Sequence, residues 1–228
     1  MRIFFEIKDN TKLINMVQEN DNGTRTEKLI TIEDCMACFT FSIEGRDSKK
    51  EVVKTALFRE LKGCRLIQSK TIGAKNTKYI LISKKRRMPM QLFNRFYDNV
   101  GIPNLIYCIH VVNNRLSRIY VAATKEDDIK STTQIYKYPF TNVSDSTDLA
   151  CIGRNNFLQG IEDNDLQKLY DVPNQFMSMP NNLDYYRATN NSKCYECEEL
   201  INSLVEKDFD DDLLVEKGIT YQEWFNRI

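Results

Sequence analysis

Apolar and polar positions alternate in short runs through the first third of the chain. Residues 29–33 and 39–43 (FTFSI) follow the period of two expected of half-buried strands, and residues 78–83 (KYILIS) read as another strand. Between them the period changes. Over 48–62, Val52, Val53, Ala56, Leu57 and Leu61 recur at helical spacing, with Ser48 as N-cap and Gly63 as stop. A shorter amphipathic helix is predicted over 91–99 (QLFNRFYDN), closed by Gly101, Ile102 and Pro103. The clearest pattern follows. Two strand-like runs, 104–112 (NLIYCIHVV) and 116–123 (LSRIYVAA), flank Asn113, Asn114 and Arg115. Asparagine tolerates the positive φ of a tight turn, so the pair reads as an antiparallel hairpin. Residues 132–138 extend it to a three-strand meander, which Pro139 ends by removing a ladder donor. Beyond lie an expected irregular surface segment over 139–160, an asparagine-rich loop with short helical turns to about Asn191, and two or three helices. The last helix opens with a capping box of Thr220 and Glu223.

This order of elements is that of an α+β protein. A small α+β domain is expected over 1–88 and a meander with flanking helices over 89–228. The basic run 84–87 (KKRR), which ends at Pro89, falls at the join. It is expected to be a solvated linker, the other reading being contact with nucleic acid or an acidic partner.

Composition narrows the function more by exclusion than by assertion. The 228 residues carry 32 basic and 32 acidic side chains, a balance that argues against a broad nucleic-acid surface. No apolar run approaches the roughly 20 residues of a membrane span. The opening MRIFFEIKDN is too short in apolar residues for a secretory signal, so the cytoplasm is the expected compartment. Seven cysteines there should remain reduced thiols. The single histidine, His110, lies in a strand-like run and is expected to be structural, which removes most imidazole-based catalysis. No GxGxxG, GxxxxGK[ST], HExxH or HxE…CxxC motif is present, and no cofactor or metal is expected. Two CxxC pairs, Cys35/Cys38 and Cys194/Cys197, would make a four-thiolate zinc site only in a fold that joins segments more than 150 residues apart. Partly buried thiols are the plainer reading.

Chemistry concentrates in the segment after the third strand. Cys151, followed by Ile152 and Gly153, stands nine residues after Asn142 in an extended loop. A thiol that carries an acyl group and a side-chain amide that donates to an oxyanion suffice for thioester transfer to an amine, with no histidine base. Free cysteine is equally a common buried residue, and an asparagine in a proline-containing loop is equally an Asx turn or cap.

These residues carry a resemblance. A meander, then Y-P-F-T-N-V, a loop and A-C-I-G resemble the ubiquitin-conjugating fold, whose hallmark is His-Pro-Asn followed by the active cysteine. With G-I-P-N-L-I-Y and T-Q-I-Y-K-Y before them, they resemble more closely the bacterial PRTRC system protein B family of mobile-element operons, over roughly residues 101–157. The resemblance implies that Cys151 is the thioester-forming cysteine and Asn142 the motif asparagine. It also implies three partners: an activating-enzyme homologue, a ubiquitin-like protein and a protein substrate. Departures from the pattern are visible. Phe140 and Thr141 separate Pro139 from Asn142, the motif has no histidine, and an acidic loop, Asp145 to Asp148, lacks the usual glycine before the cysteine. An aspartate beside a thiol disfavours the thiolate. Asp163 and Asp165 are candidates to orient an incoming lysine. Two rival readings stand beside the carrier: a catalytically inactive relative that docks ubiquitin-like or plasmid-maintenance partners, and a metal-stabilised or nucleic-acid-binding module built on both CxxC pairs and the KKRR run.

Overall fold

The computed structural model describes residues 2–7, 13–19, 23–31, 51–55, 60–72, 75–153 and 166–228. The chain divides into two compact units, Met1–Lys50 with Lys54–Ala56, and Glu51–Val53 with Leu57–Ile228. In the first, β1 (Arg2–Ile7), β2 (Leu13–Glu19) and β3 (Arg25–Thr31) form an antiparallel meander in which Ile14 is buried against Phe5 and Met16. The predicted strand 39–43 and the Cys35/Cys38 pair lie outside the described residues.

The second unit contains β4 (Glu51–Thr55, of which 51–53 belong to this unit), β5 (Cys64–Ile72), β6 (Asn76–Ser83), β7 (Arg86–Leu92), β8 (Arg95–Ile102), β9 (Asn104–Val112), β10 (Arg115–Thr124), β11 (Gln134–Tyr136) and β12 (Glu216–Thr220). Its helices are α1 (Leu166–Met177), α2 (Cys197–Leu204) and α3 (Tyr221–Arg227). Seven strands make one sheet in the order β12-β11-β10-β9-β6-β5-β4, while β7 and β8 form a separate hairpin.

Strand β9 sits at the middle of the sheet because both its faces are apolar, as the unbroken run LIYCI demands. Leu105, Tyr107, Ile109 and Val111 enter the larger core with Leu169, Tyr170 and Phe176 of α1 and Leu200 and Leu204 of α2. Ile106 and Cys108 point the other way, into a cluster with Ala122, Ile135, Trp224 and Phe225 under α3. Burial drives the Cys108 thiol up to about 12, so it behaves as a small apolar residue. His110 continues β9 half-buried, with Nε2 at 2.6 Å from Asn76 Oδ1, and burial lowers its pKa, so it is a neutral strand residue as expected. The β9–β10 turn places Asn113 and Asn114 at φ 51° and 59°, as a two-residue hairpin turn requires. The capping box of Thr220 and Glu223 also forms.

Several expectations are corrected. Residues 51–55 are a strand rather than part of a helix, in keeping with the β-branched Val52, Val53 and Thr55. Gly63, expected to stop that helix, instead joins Lys62 in a tight turn at φ 73° and 54°. The helix expected over 91–99 is the β7–β8 hairpin. Met88, Met90 and Leu92 do alternate inward, but Pro89 interrupts the pattern and is absorbed by a bulge between Met88 and Met90. The asparagine-rich region contains the twelve-residue helix α1, with Pro173 inside it. The boundary expected at residue 88 falls within the second unit, because β5 and β6 pair in the same sheet as β9 and β10.

Nor is KKRR a solvated linker. Lys84 pairs with Glu60 at 2.8 Å, Lys85 with Asp211 at 2.7 Å and Arg87 with Asp208 at 2.9 Å, while Arg86 donates to Asn174 Oδ1 at 2.6 Å. The run is thus part of strand β7 and its approach, with Lys85 and Arg86 half-buried and Lys84 and Arg87 in exposed, individually weak ion pairs. No helix among the described residues is long and apolar enough to cross a membrane.

Candidate functional site

The chain leaving β11 enters the core instead of running over the surface as expected for 139–160. Tyr138 and Phe140 are buried, their rings edge-on at 5.8 Å, and each reaches a further aromatic: Tyr138 meets Phe176 at 6.1 Å and Phe140 meets Phe209 at 6.2 Å. Aromatic pairs of this kind contribute ~0.5–1.5 kcal/mol beyond burial, so Tyr-Pro-Phe anchors the segment.

Asn142, buried at φ 67°, then turns the chain into a short hairpin, a backbone region asparagine enters more readily than most residues. The Cys151 N–H donates to the Asn142 carbonyl at 2.7 Å, the Ser144 N–H to the Leu149 carbonyl at 3.0 Å, and the Asp148 N–H to the Ser144 carbonyl at 2.7 Å. The returning arm docks on β10, where the Ala150 N–H donates to Ile119 and the Val121 N–H to Asp148, both at 2.8 Å. Cys151 therefore leaves a fixed arm with its backbone held and is itself exposed. Cys64, Cys108 and Cys197 are buried, and Cys194 is the other exposed thiol among the described residues.

Two buried polar anchors fix this hairpin. At its root is Asn181, which the sequence reading missed. Its Oδ1 accepts from the Thr141 hydroxyl at 2.6 Å and the Asn142 amide at 3.2 Å, and its Nδ2 donates to the Gln91 carbonyl at 3.0 Å. Its backbone N–H also donates to Gln91 and its carbonyl accepts from Phe93, which ties the end of β7 to the cysteine loop. The only hint in the sequence was Pro180 before a pair of asparagines, a pattern that reads equally as an ordinary turn.

At its tip is Asp148. Its carboxylate accepts from Lys217 Nζ at 2.6 Å and Trp224 Nε1 at 3.0 Å, with side-chain exposures of 10% for Asp148 and 12% for Lys217. Asp145 pairs with Lys137 at 3.0 Å. The acidic loop read as lying against the thiol thus spends both its carboxylates on lysines. Burial raises the Asp148 carboxyl above its ordinary 3.8, against the pull of Lys217 and Trp224, and Asp145 adds to the rise.

Cys151 and Asn142, expected to work together, are brought together through their backbones. The Asn142 amide is turned inward, donating to the Pro180 carbonyl at 3.3 Å as well as to Asn181. Asp163 and Asp165 lie outside the described residues. No cluster of three or more metal-ligating side chains occurs among the described residues. Of the second CxxC pair, Cys197 is buried at the start of α2, and burial, with Glu196 and Glu198, drives it up to about 12.

Three outcomes follow from this geometry. Brief alkylation of the native protein, read by peptide mapping, is expected to label Cys151 and Cys194 while sparing Cys64, Cys108 and Cys197. Asn181→Ala strands the Thr141 hydroxyl and leaves the Asn142 amide only its bond to Pro180, and is expected to lower the unfolding free energy by about 2 kcal/mol in denaturant titration. Lys217→Met leaves a buried carboxylate unpaired, at an expected cost of about 3 kcal/mol at neutral pH. The pH dependence has a definite sign. A carboxyl raised on folding keeps a proton that the unfolded chain has released, so its contribution to stability falls as pH rises above 3.8 through the folded-state value. Removing the Lys217 cation widens that window, so the loss relative to wild type is expected to shrink when measured at about pH 5.

Similarity to known proteins is found at the level of a family. No curated protein and no solved structure matches the chain. A family model does match, over residues 49–217, which takes in β5 to β11, the Asn142–Cys151 hairpin, Asn181 and Lys217. The chain belongs to prokaryotic E2 family D, a family of the ubiquitin-conjugating type.

Proposed function

We propose that this protein is a thioester carrier in a bacterial ubiquitin-like conjugation system. The single observation that supports the reading most strongly is the exposed Cys151 on a hairpin clamped at root and tip. The Cys151 thiolate attacks the thioester carbonyl on an activating enzyme, the donor thiol leaves with a proton, and the ubiquitin-like protein's C-terminus becomes esterified to Sγ. A lysine amine of a protein substrate then attacks that carbonyl. The resulting oxyanion collapses, the Cys151 thiolate departs, and the amine proton passes to solvent, leaving an amide.

Asn142 is the residue we assign to the oxyanion. In the resting structure its amide serves Pro180 and Asn181, so donation to the oxyanion exchanges the longer bond, that to Pro180 at 3.3 Å. The setting we propose is the cytoplasm and a mobile-element operon of the PRTRC type, in keeping with the resemblance over 101–157.

Charging with ATP, an activating enzyme and a ubiquitin-like protein from the same operon, read on a non-reducing gel, tests the reading. A band that reductant removes, that Cys151→Ala abolishes and that Cys194→Ala retains is expected. Asn142→Ala is expected to charge normally and to discharge to lysine about 10²-fold more slowly or worse. No band, from an activating enzyme shown to charge itself, overturns the carrier role and leaves the protein a docking platform of the same fold.

A further inference from the structure

The turn between β7 and β8 holds an anomaly. Phe93 occupies the left-handed region at φ 52° and is 53% exposed. A non-glycine residue there costs on the order of 1 kcal/mol, and a large apolar side chain in water gains nothing in return from the fold. Beside it, Leu183 is 55% exposed on the loop that follows Asn181. Phe93 and Leu183 line a groove of about 420 Å³ together with Arg95, Glu196 and Glu198. That volume is in the range of built binding clefts. Its lining holds two carboxylates and one guanidinium. Arg95 pairs with Glu198 in an exposed ion pair, which is weak and readily exchanged, while Glu196 has no cationic partner among the described residues. The groove's lining is therefore partly apolar and, in its charges, net acidic.

It is also joined to the cysteine. The Phe93 N–H donates to Asn181, whose side chain accepts from Asn142, whose carbonyl in turn takes the Cys151 N–H. The turn that carries Phe93 into the groove is thus held by the same buried amide that fixes the thiol's hairpin.

We propose that this groove seats the acceptor: an extended apolar segment bearing lysine, with its apolar side chains against Phe93 and Leu183 and a cationic one at Glu196. The assignment rests on the carrier reading above for its catalytic meaning, and on charge and shape alone for the binding itself. It also gives the strained backbone of Phe93 a reason. Glycine suits that turn better, and the ring that stands there instead lines the groove.

The test has two arms. In the first, the uncharged full-length protein is titrated into a fluorescein-labelled hexapeptide alternating leucine and lysine, and into its glutamate counterpart, with anisotropy as readout. The lysine peptide is expected to bind at least about tenfold tighter, and Phe93→Gly and Glu196→Gln are each expected to weaken it by about tenfold. Phe93→Gly suits the backbone of its turn, and circular dichroism melting checks that each variant is folded. Equal binding of the two peptides, or binding indifferent to both variants, overturns the proposal whether or not the protein carries a thioester. In the second arm the charged protein is discharged to the lysine peptide and to free lysine. The ratio of the two rates is expected to fall about tenfold in each variant. An unchanged ratio, or a defect confined to charging, overturns the acceptor assignment and marks the groove as a seat for the carried protein's tail. If the wild type never charges, the carrier reading fails and the first arm alone decides whether the groove binds basic apolar segments.

Discussion

The architecture around the exposed thiol depends on one buried amide. Asn181 uses its backbone N–H and carbonyl to hold the end of β7 and the turn after it, and its side chain to hold Thr141 and Asn142. These segments are far apart in sequence, and the backbone between β11 and Cys151 is largely irregular, so no sheet ladder fixes its start. In such a place a hydrogen bond is worth little net, but an unmade one is costly, since each stranded buried group loses ~1–3 kcal/mol. That asymmetry makes the position of the hairpin unique: any other placement leaves polar atoms of Thr141, Asn142 or Asn181 buried without partners.

The tip of the hairpin is fixed by a different kind of force. Asp148 is a carboxylate in a poor environment for charge, tolerated because Lys217 and the Trp224 indole meet both its oxygens. Lys217 lies on β12 and Trp224 on α3, so the C-terminal elements are enlisted to hold a loop that begins some seventy residues earlier in the chain. The loop's acidity, which in isolation reads as a brake on the thiol, is consumed in building the support. What is left at the surface is a thiol on a stiff backbone, the arrangement an acyl carrier needs if its reacting carbonyl is to meet a nucleophile in a defined geometry.

Legibility in the sequence followed the range of the interactions. The β9–β10 hairpin was readable because its determinants are adjacent: a continuous apolar strand and two asparagines able to take positive φ. The final helix was readable from the Thr220 and Glu223 box for the same reason. The β7–β8 hairpin was hidden because Pro89 breaks its alternation and only a bulge reconciles the two. Helix α1 was hidden by Pro173 and by polar neighbours, although Leu169, Val172 and Phe176 keep helical spacing and are buried. For the candidate site, Cys151 and Asn142 were legible as a motif and are neighbours in space. Asn181, Lys217 and Trp224 were not, because their roles exist only once distant segments meet.

The most direct test of the account is the intact mass of the purified protein after incubation with a charged activating enzyme of the proposed system. The account predicts a gain equal to the mass of the ubiquitin-like protein less one water, labile to hydroxylamine and mapped by peptide analysis to Cys151. An unchanged mass, with the activating enzyme still charged, would contradict it.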